Sequence, residues 1–393
     1  METSDGPVDT KWLGTLTAAL HPRYDDYLRD LETLVNMDSG TFDPQDVELV
    51  GAWLRARCGS WGATIDATAG GDLASNFAAT LRGTGTAAIV LLGHMDTVFA
   101  HGTTAERPLR LEGGRALGPG TCDMKGGLLT AVYAVETLRA LGYDHFATLR
   151  LICTSDEEIG APSSQAFLEQ MATGADAVLV LEAARANGDL VRQRRGWGNY
   201  RLEVIGRSAH AGVEPQQGRS AALTLSRQVV ALHELNDYTE GRTVNVGTLR
   251  AGTRPNVVPD SATAEVDLRA NTPESMKRLL ADAENALAGA AIEGTTYTWT
   301  PVSFRPPWGE NPGTERLLAI AQGVANALGF TVEGATTGGT SDANFTAALN
   351  IPTIDGLGPI GGLDHGPREY IELDSILPRI ALLAGIIRGA CEQ

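Results

Sequence analysis

Three short apolar runs in this sequence end in residues that hold protons or metal ions. Residues 88–92 run into His94 and Asp96, residues 149–154 into Asp156, Glu157 and Glu158, and residues 177–181 into Glu182. Unbroken apolar runs of this length read as buried parallel strands. Groups far apart in sequence meet at the carboxyl ends of such strands. His94 and Asp96 lie two residues apart, so on extended chain they point the same way. Imidazole is a common metal ligand, and a neighbouring carboxylate sets its tautomer; a strand-end histidine satisfied by one hydrogen bond has the same pattern. The three consecutive carboxylates repel one another. On a surface, water and salt relieve that. At the mouth of a sheet a cation does so, with one glutamate on the metal and its neighbour free to take a proton from water.

Two glycine-dense loops add to this set. Residues 118–127 precede a helical pattern and carry Asp123, whose two oxygens could bridge two cations or cap the helix. Residues 337–342, with Gly339 and Thr340, stand before another helical pattern. Their backbone amides could hold a substrate carboxylate, or the segment is a linker with a Ser or Asp cap. His365 sits in the constrained loop 362–367.

The elements that must position these groups follow from pattern. Helical spacing covers residues 128–141, 317–328 and 376–387, the last as an amphipathic helix. Strands alternating with helices predict an α/β domain with a mostly parallel sheet. The middle of the chain differs. Residues 200–204 alternate apolar and charged; a helix over 220–235, strands over 243–249 and 263–268, a helix opened by Thr272 and Pro273, and a strand over 295–302 follow. That order is a ferredoxin-like βαββαβ unit, expected as an insertion over 196–303 between catalytic parts 1–195 and 304–393. Arg192, Arg194 and Arg195 read as a solvated basic face.

The length of 393 residues suits two domains, and a net charge of −17 disfavours nucleic acid and anionic membranes as partners. No signal segment or spanning run is visible, and Cys58, Cys122, Cys153 and Cys391 form no CxxC pair. They read as reduced packing residues of a cytoplasmic protein.

The segments GHMDTV, GPGTCDMKGG, TSDEEIG, the pair Leu181-Glu182, RSAHAG, GGTSDA and LDHGP occur in one order over nearly the whole chain. In them the sequence resembles the M20 metallopeptidases, and within these the glutamate carboxypeptidase (carboxypeptidase G2-like) branch. The resemblance implies a zinc-peptidase-like catalytic domain with an inserted lid and dimerisation domain. It implies two zinc ions, or cobalt or manganese, held by His94, Asp123, Glu158, Glu182 and His365, with Asp123 bridging. Glu157 would be the general base and Asp96 would orient His94. His210 would reach a partner subunit's active site, and Asn256 and Arg269 would bind substrate. The implied reaction cleaves an amide next to a free carboxylate in a small peptide or N-acyl-amino acid, releasing a residue such as glutamate. A deacylase of the acetylornithine or succinyl-diaminopimelate type shares the same ligands, and a non-catalytic metal-dependent binding protein is the alternative of another class.

Overall fold

Strand Ala88–His94 has no polar side chain before its last residue, and it lies inside the main sheet with parallel neighbours on both sides. The computed structural model describes residues 8–392. The sheet order is Thr64–Ala67, Phe77–Arg82, Thr148–Thr154, Ala88–His94, Ala177–Val180, Thr353–Ile354. The last three pairings are parallel and the first two antiparallel. The three apolar runs thus form the parallel centre that the sequence predicts.

Register carries the consequence for chemistry. His94 pairs with Thr154, so these two strands end level. Leu181 N donates to Leu92 O at 2.9 Å, which sets Glu182 at the same edge. Helix Gly126–Ala140 follows the glycine-dense loop and is buried along most of its length. Its first turn comes so close to the third strand's exit that a Cβ on Gly127 would lie 1.9 Å from Leu181 O.

Helices Thr10–Leu20, Tyr24–Val35 and Pro44–Ser60 also bury apolar faces in this core. The terminal helix Ile376–Cys391 corrects the amphipathic expectation. It packs against helices Thr10–Leu20, Gly126–Ala140 and Pro312–Leu328, and buries residues around its circumference. Arg379 in it is fully buried and donates to Gly358 O at 3.0 Å, Gly188 O at 2.9 Å and Gly356 O. Burial pushes this guanidinium down to about 9. Gly358 N in turn donates to Glu182 O at 2.9 Å, so Arg379 braces the loop beside Glu182.

The chain divides into two compact units, one of residues 1–193, 310–336 and 345–393, the other of residues 194–309 and 337–344. The second contains strands Gly196–Ile205, Thr243–Ala251, Ser261–Ala270 and Thr296–Arg305 with helices Ala221–His233 and Pro273–Ala290. Its antiparallel sheet has the order second, third, first, fourth strand, which is the ferredoxin-like βαββαβ arrangement. Thr272 caps the second helix by accepting from Ser275 N at 3.1 Å. Both helices pack on the sheet, over a core that includes Leu202, Val204, Leu225, Val266, Leu268 and Leu279.

The arginine run is not a solvated face. Arg194 is 5% exposed and donates to Gly339 O at 3.2 Å. Arg195 donates through Nη2 to Thr243 Oγ1 at 3.2 Å and to Gly241 O. Burial lowers its pKa, with the Arg269 charge acting in the same sense. Only Arg192 fits the expectation, pairing with Glu315 at 2.5 Å where both are partly exposed. All four cysteines are free and buried. Among the described residues no helix is long and apolar enough to cross a membrane.

Gly127→Ala should force the helix and the Glu182 segment apart. We expect its urea unfolding free energy to fall by about 1–3 kcal/mol, the usual cost of overpacking. Wild-type stability would contradict the close approach.

Candidate metal centre

His94 ends its strand buried, and its own neighbourhood fixes the ring. Nδ1 faces the Asp96 carbonyl at 3.0 Å and an Asp96 carboxylate oxygen at 3.4 Å. Nε2 is thereby turned to Asp123 Oδ1 at 2.9 Å and Glu182 Oε1 at 3.9 Å. The other Asp123 oxygen, Oδ2, faces His365 Nε2 at 3.1 Å, and the same nitrogen is 3.1 Å from Glu158 Oε2. Two ligand-like triads result, His94–Asp123–Glu182 and Asp123–Glu158–His365, and they share Asp123. Three of the five residues come from strand ends or loops and two from the short helical turns Thr121–Lys125 and Glu157–Ile159, all within the first unit.

Asp96 does more than face a ring. It is fully buried, accepts from Thr41 Oγ1 at 2.7 Å, and accepts from both Glu157 N and Glu158 N at 3.2 Å. It therefore holds the turn Glu157–Ile159 that carries two of the carboxylates. Glu157 is half-buried there, and its charge helps raise both Glu158 and Glu182.

The charges of the cluster shift one another. Burial, followed by the Asp123 charge, holds Glu182 well above the usual carboxylate range. Burial, with Asp123 and Glu157 adding to it and His365 opposing, pushes Glu158 up to about 8. Hydrogen bonds to Asp123 and Glu158 push His365 up to about 11. Burial pulls His94 down, but Asp123, Asp96 and Glu182 outweigh it and leave the imidazole raised. Burial raises Asp123, and the two histidines more than reverse that, so it stays ionised. Glu158 Oε1 is buried without a hydrogen-bond partner. Two imidazoles and two carboxylates around one shared carboxylate suit a pair of divalent ions such as zinc, and the orphaned, buried oxygen of Glu158 fits a ligand role.

Glu369 was not singled out by the sequence. It is buried, and its carboxylate accepts from Gly120 N at 3.0 Å, Cys122 N at 2.8 Å and Asp123 N at 3.0 Å. Burial pushes it up to about 7 against the pull of those three N–H groups. Gly120, at φ +73°, makes the turn that aims these amides together. Lys125 also went unread: it is buried, donates to Met37 O at 2.7 Å, and burial pushes it down to about 8. A third acidic group, Asp38, Asp46 and His101, has a different character. Asp38 spends its oxygens on Gly102 N and Thr104 N, and His101 is 71% exposed.

The residues expected to bind substrate lie in the second unit, in two groups. His210 bridges Val257, and Ala211 N donates to Asn256 O at 3.0 Å, so the exposed His210 and Asn256 sit on adjacent segments. Arg269 grips Asp267 through Nε at 3.0 Å and Nη2 at 3.1 Å, and donates through Nη1 to Gly338 O at 2.9 Å. That places it against the loop bearing Gly339 and Thr340. Asp342 of this loop pairs with buried Arg305 at 3.3 Å. The helix after the loop, Ala343–Ala348, is only six residues long.

The model of peptidase family M20/M25/M40 matches residues 90–389. The chain belongs to this family. Carboxypeptidase G2 of Pseudomonas sp. (strain RS-16) is 29% identical over 366 residues, 92% of this chain and 88% of its own length. A succinyl-diaminopimelate desuccinylase of Variovorax paradoxus (strain S110) is 28% identical over 374 residues, 88% of this chain and 93% of its own. In fold the chain is similar to the aminopeptidase PepT of Bacillus cereus, with a TM-score of 0.78, 24% identity, and 94% of this chain and 99% of that one covered. This M20 chain is a hydrolase acting on amide bonds, and metallopeptidases of its family are typically dinuclear.

Between pH 4.5 and about 8 the folded metal-free chain retains on Glu158 a proton that the unfolded chain has released. Stability therefore falls as pH rises through that window. His365 acts in the same direction, its contribution intact below 6.5 and lost as pH rises through about 11. Cations bind the deprotonated ligands. The gain in melting temperature on adding zinc should therefore grow from about pH 5 to about pH 8. Thermal unfolding with and without zinc checks this, and a gain that shrinks with pH would contradict it.

Proposed function

We propose that this chain is a two-zinc carboxypeptidase or N-acyl-amino-acid amidohydrolase that cuts the amide next to a free carboxylate and releases a C-terminal amino acid such as glutamate. The observation that carries this reading is the shared Asp123 carboxylate, with one oxygen on the His94 side and the other on the His365 side. His94, Glu182 and Asp123 would hold one ion, and Asp123, Glu158 and His365 the other; cobalt or manganese suits the same donors. When bound, the ions would lower the pKa of water and polarise the amide carbonyl.

The chain's own residues supply the rest. Glu157 takes the proton of the attacking water and passes it to the leaving nitrogen. Asp96 holds Glu157 at that station through the backbone hydrogen bond already described. In the second unit His210, Asn256, Gly339 and Thr340 are read as substrate-binding, with a homodimer through that unit. Arg269 spends three of its five N–H donors on Asp267 and Gly338, leaving two for a substrate carboxylate. The buried reduced thiols suit a cytoplasmic enzyme.

The second reading, a succinyl-diaminopimelate type deacylase, is favoured by the names of several relatives. A panel of N-acyl-glutamates, dipeptides, N-acetyl-ornithine and N-succinyl-diaminopimelate, assayed with defined zinc, separates the two. On the leading reading N-acyl-glutamate is among the best substrates. Converting its α-carboxylate to an amide lowers kcat/KM by roughly 10–100-fold, the worth of a charged hydrogen bond. No hydrolysis of any member would favour a metal-dependent binding protein. Glu157→Gln should lower kcat by about 10²–10⁴-fold while metal content stays at the wild-type level. Near-wild-type turnover in that variant would remove Glu157 from the mechanism.

A further inference from the structure

Glu369 belongs neither to the two triads nor to the residues read as substrate-binding, yet its carboxylate collects three backbone N–H groups from the loop that presents Asp123. The residues it joins are 246 to 249 positions away in sequence. Its own placement is fixed by strand register. Strand Tyr370–Glu372 pairs antiparallel with Arg115–Leu117, Tyr370 lying opposite Leu117. Gly118 N continues that ladder by donating to Glu369 O at 3.2 Å. Four residues earlier the same segment carries His365, which faces Asp123 Oδ2. One stretch of chain thus holds the bridging carboxylate from both ends, by its side chain through His365 and by its backbone through Glu369.

We infer that Glu369 is a positioning residue for both metal sites, acting through Asp123. Three N–H groups ask only for acceptors, which a neutral amide oxygen partly supplies at a lower desolvation cost than a buried carboxylate. With two cations bound at Asp123, a carboxylate holding the loop from behind would keep the ligand in orientation. Since Asp123 belongs to both triads, loss of Glu369 weakens both sites together, whereas loss of His365 bears directly on one.

The inference rests on the two-metal reading, and the test separates the two. Full-length wild type and Glu369→Gln are stripped of metal and titrated with zinc against a colorimetric chelator, and the metal-free melting temperature of each is recorded. The expected result is that wild type takes up two equivalents and that Glu369→Gln binds both about 10–100-fold more weakly, with a metal-free melting temperature lowered only by what one buried N–H left without an acceptor costs. At saturating zinc its kcat falls and its KM does not. Zinc affinity within threefold of wild type would overturn the inference, whether or not the variant melts lower, because Glu369 would then serve folding alone. Should Glu369→Gln fail to fold, Glu369→Asp keeps the charge, withdraws it from the amides by one methylene, and is read by the same criterion. A wild-type chain that takes up no zinc would overturn the two-metal reading itself.

Discussion

Three carboxylates and two imidazoles crowd the carboxyl end of a buried sheet, and their mutual charge has to be balanced by something. Asp123 is the pivot, since each of its oxygens answers a different histidine. Burial and the charge of Asp123 raise both Glu158 and Glu182. A pair of divalent ions would balance the same charges.

Much of the first unit reads as support for that arrangement. Level strand ends bring His94 beside the 155–158 turn. Asp96 ties that turn down through two backbone amides and Thr41. Gly127 lets a helix close on the carbonyl before Glu182, and Arg379 braces the loop on the other side. Glu369 holds the Asp123 loop from behind. None of these needs to touch substrate. A site assembled from segments this far apart keeps its geometry only if each segment is separately anchored.

That these five residues could meet was legible in the sequence because four of them follow a local signal, an apolar run ending in His or acidic residues or a glycine-dense loop before a helix, and His365 sits in a constrained loop. The βαββαβ order was legible for a similar reason, since alternation and the Thr272 cap are local. What escaped is set by tertiary pairing. Glu369 is a lone acidic residue in a loop, and only the pairing of Tyr370 with Leu117 turns it toward Gly120. The arginines misled because a basic run reads as exposed. Arg194 instead is buried and its charge goes to a carbonyl in the 337–342 loop, while Arg195 reaches Thr243 and Gly241. The final helix misled because its spacing does not reveal that neighbours cover it on several sides.

Native mass spectrometry of wild type and Asp123→Asn at rising zinc concentration tests most directly whether Asp123 joins two cation sites. The expected result is two zinc ions per wild-type chain and loss of the doubly loaded species in the variant. Undiminished binding of two ions by Asp123→Asn would contradict it.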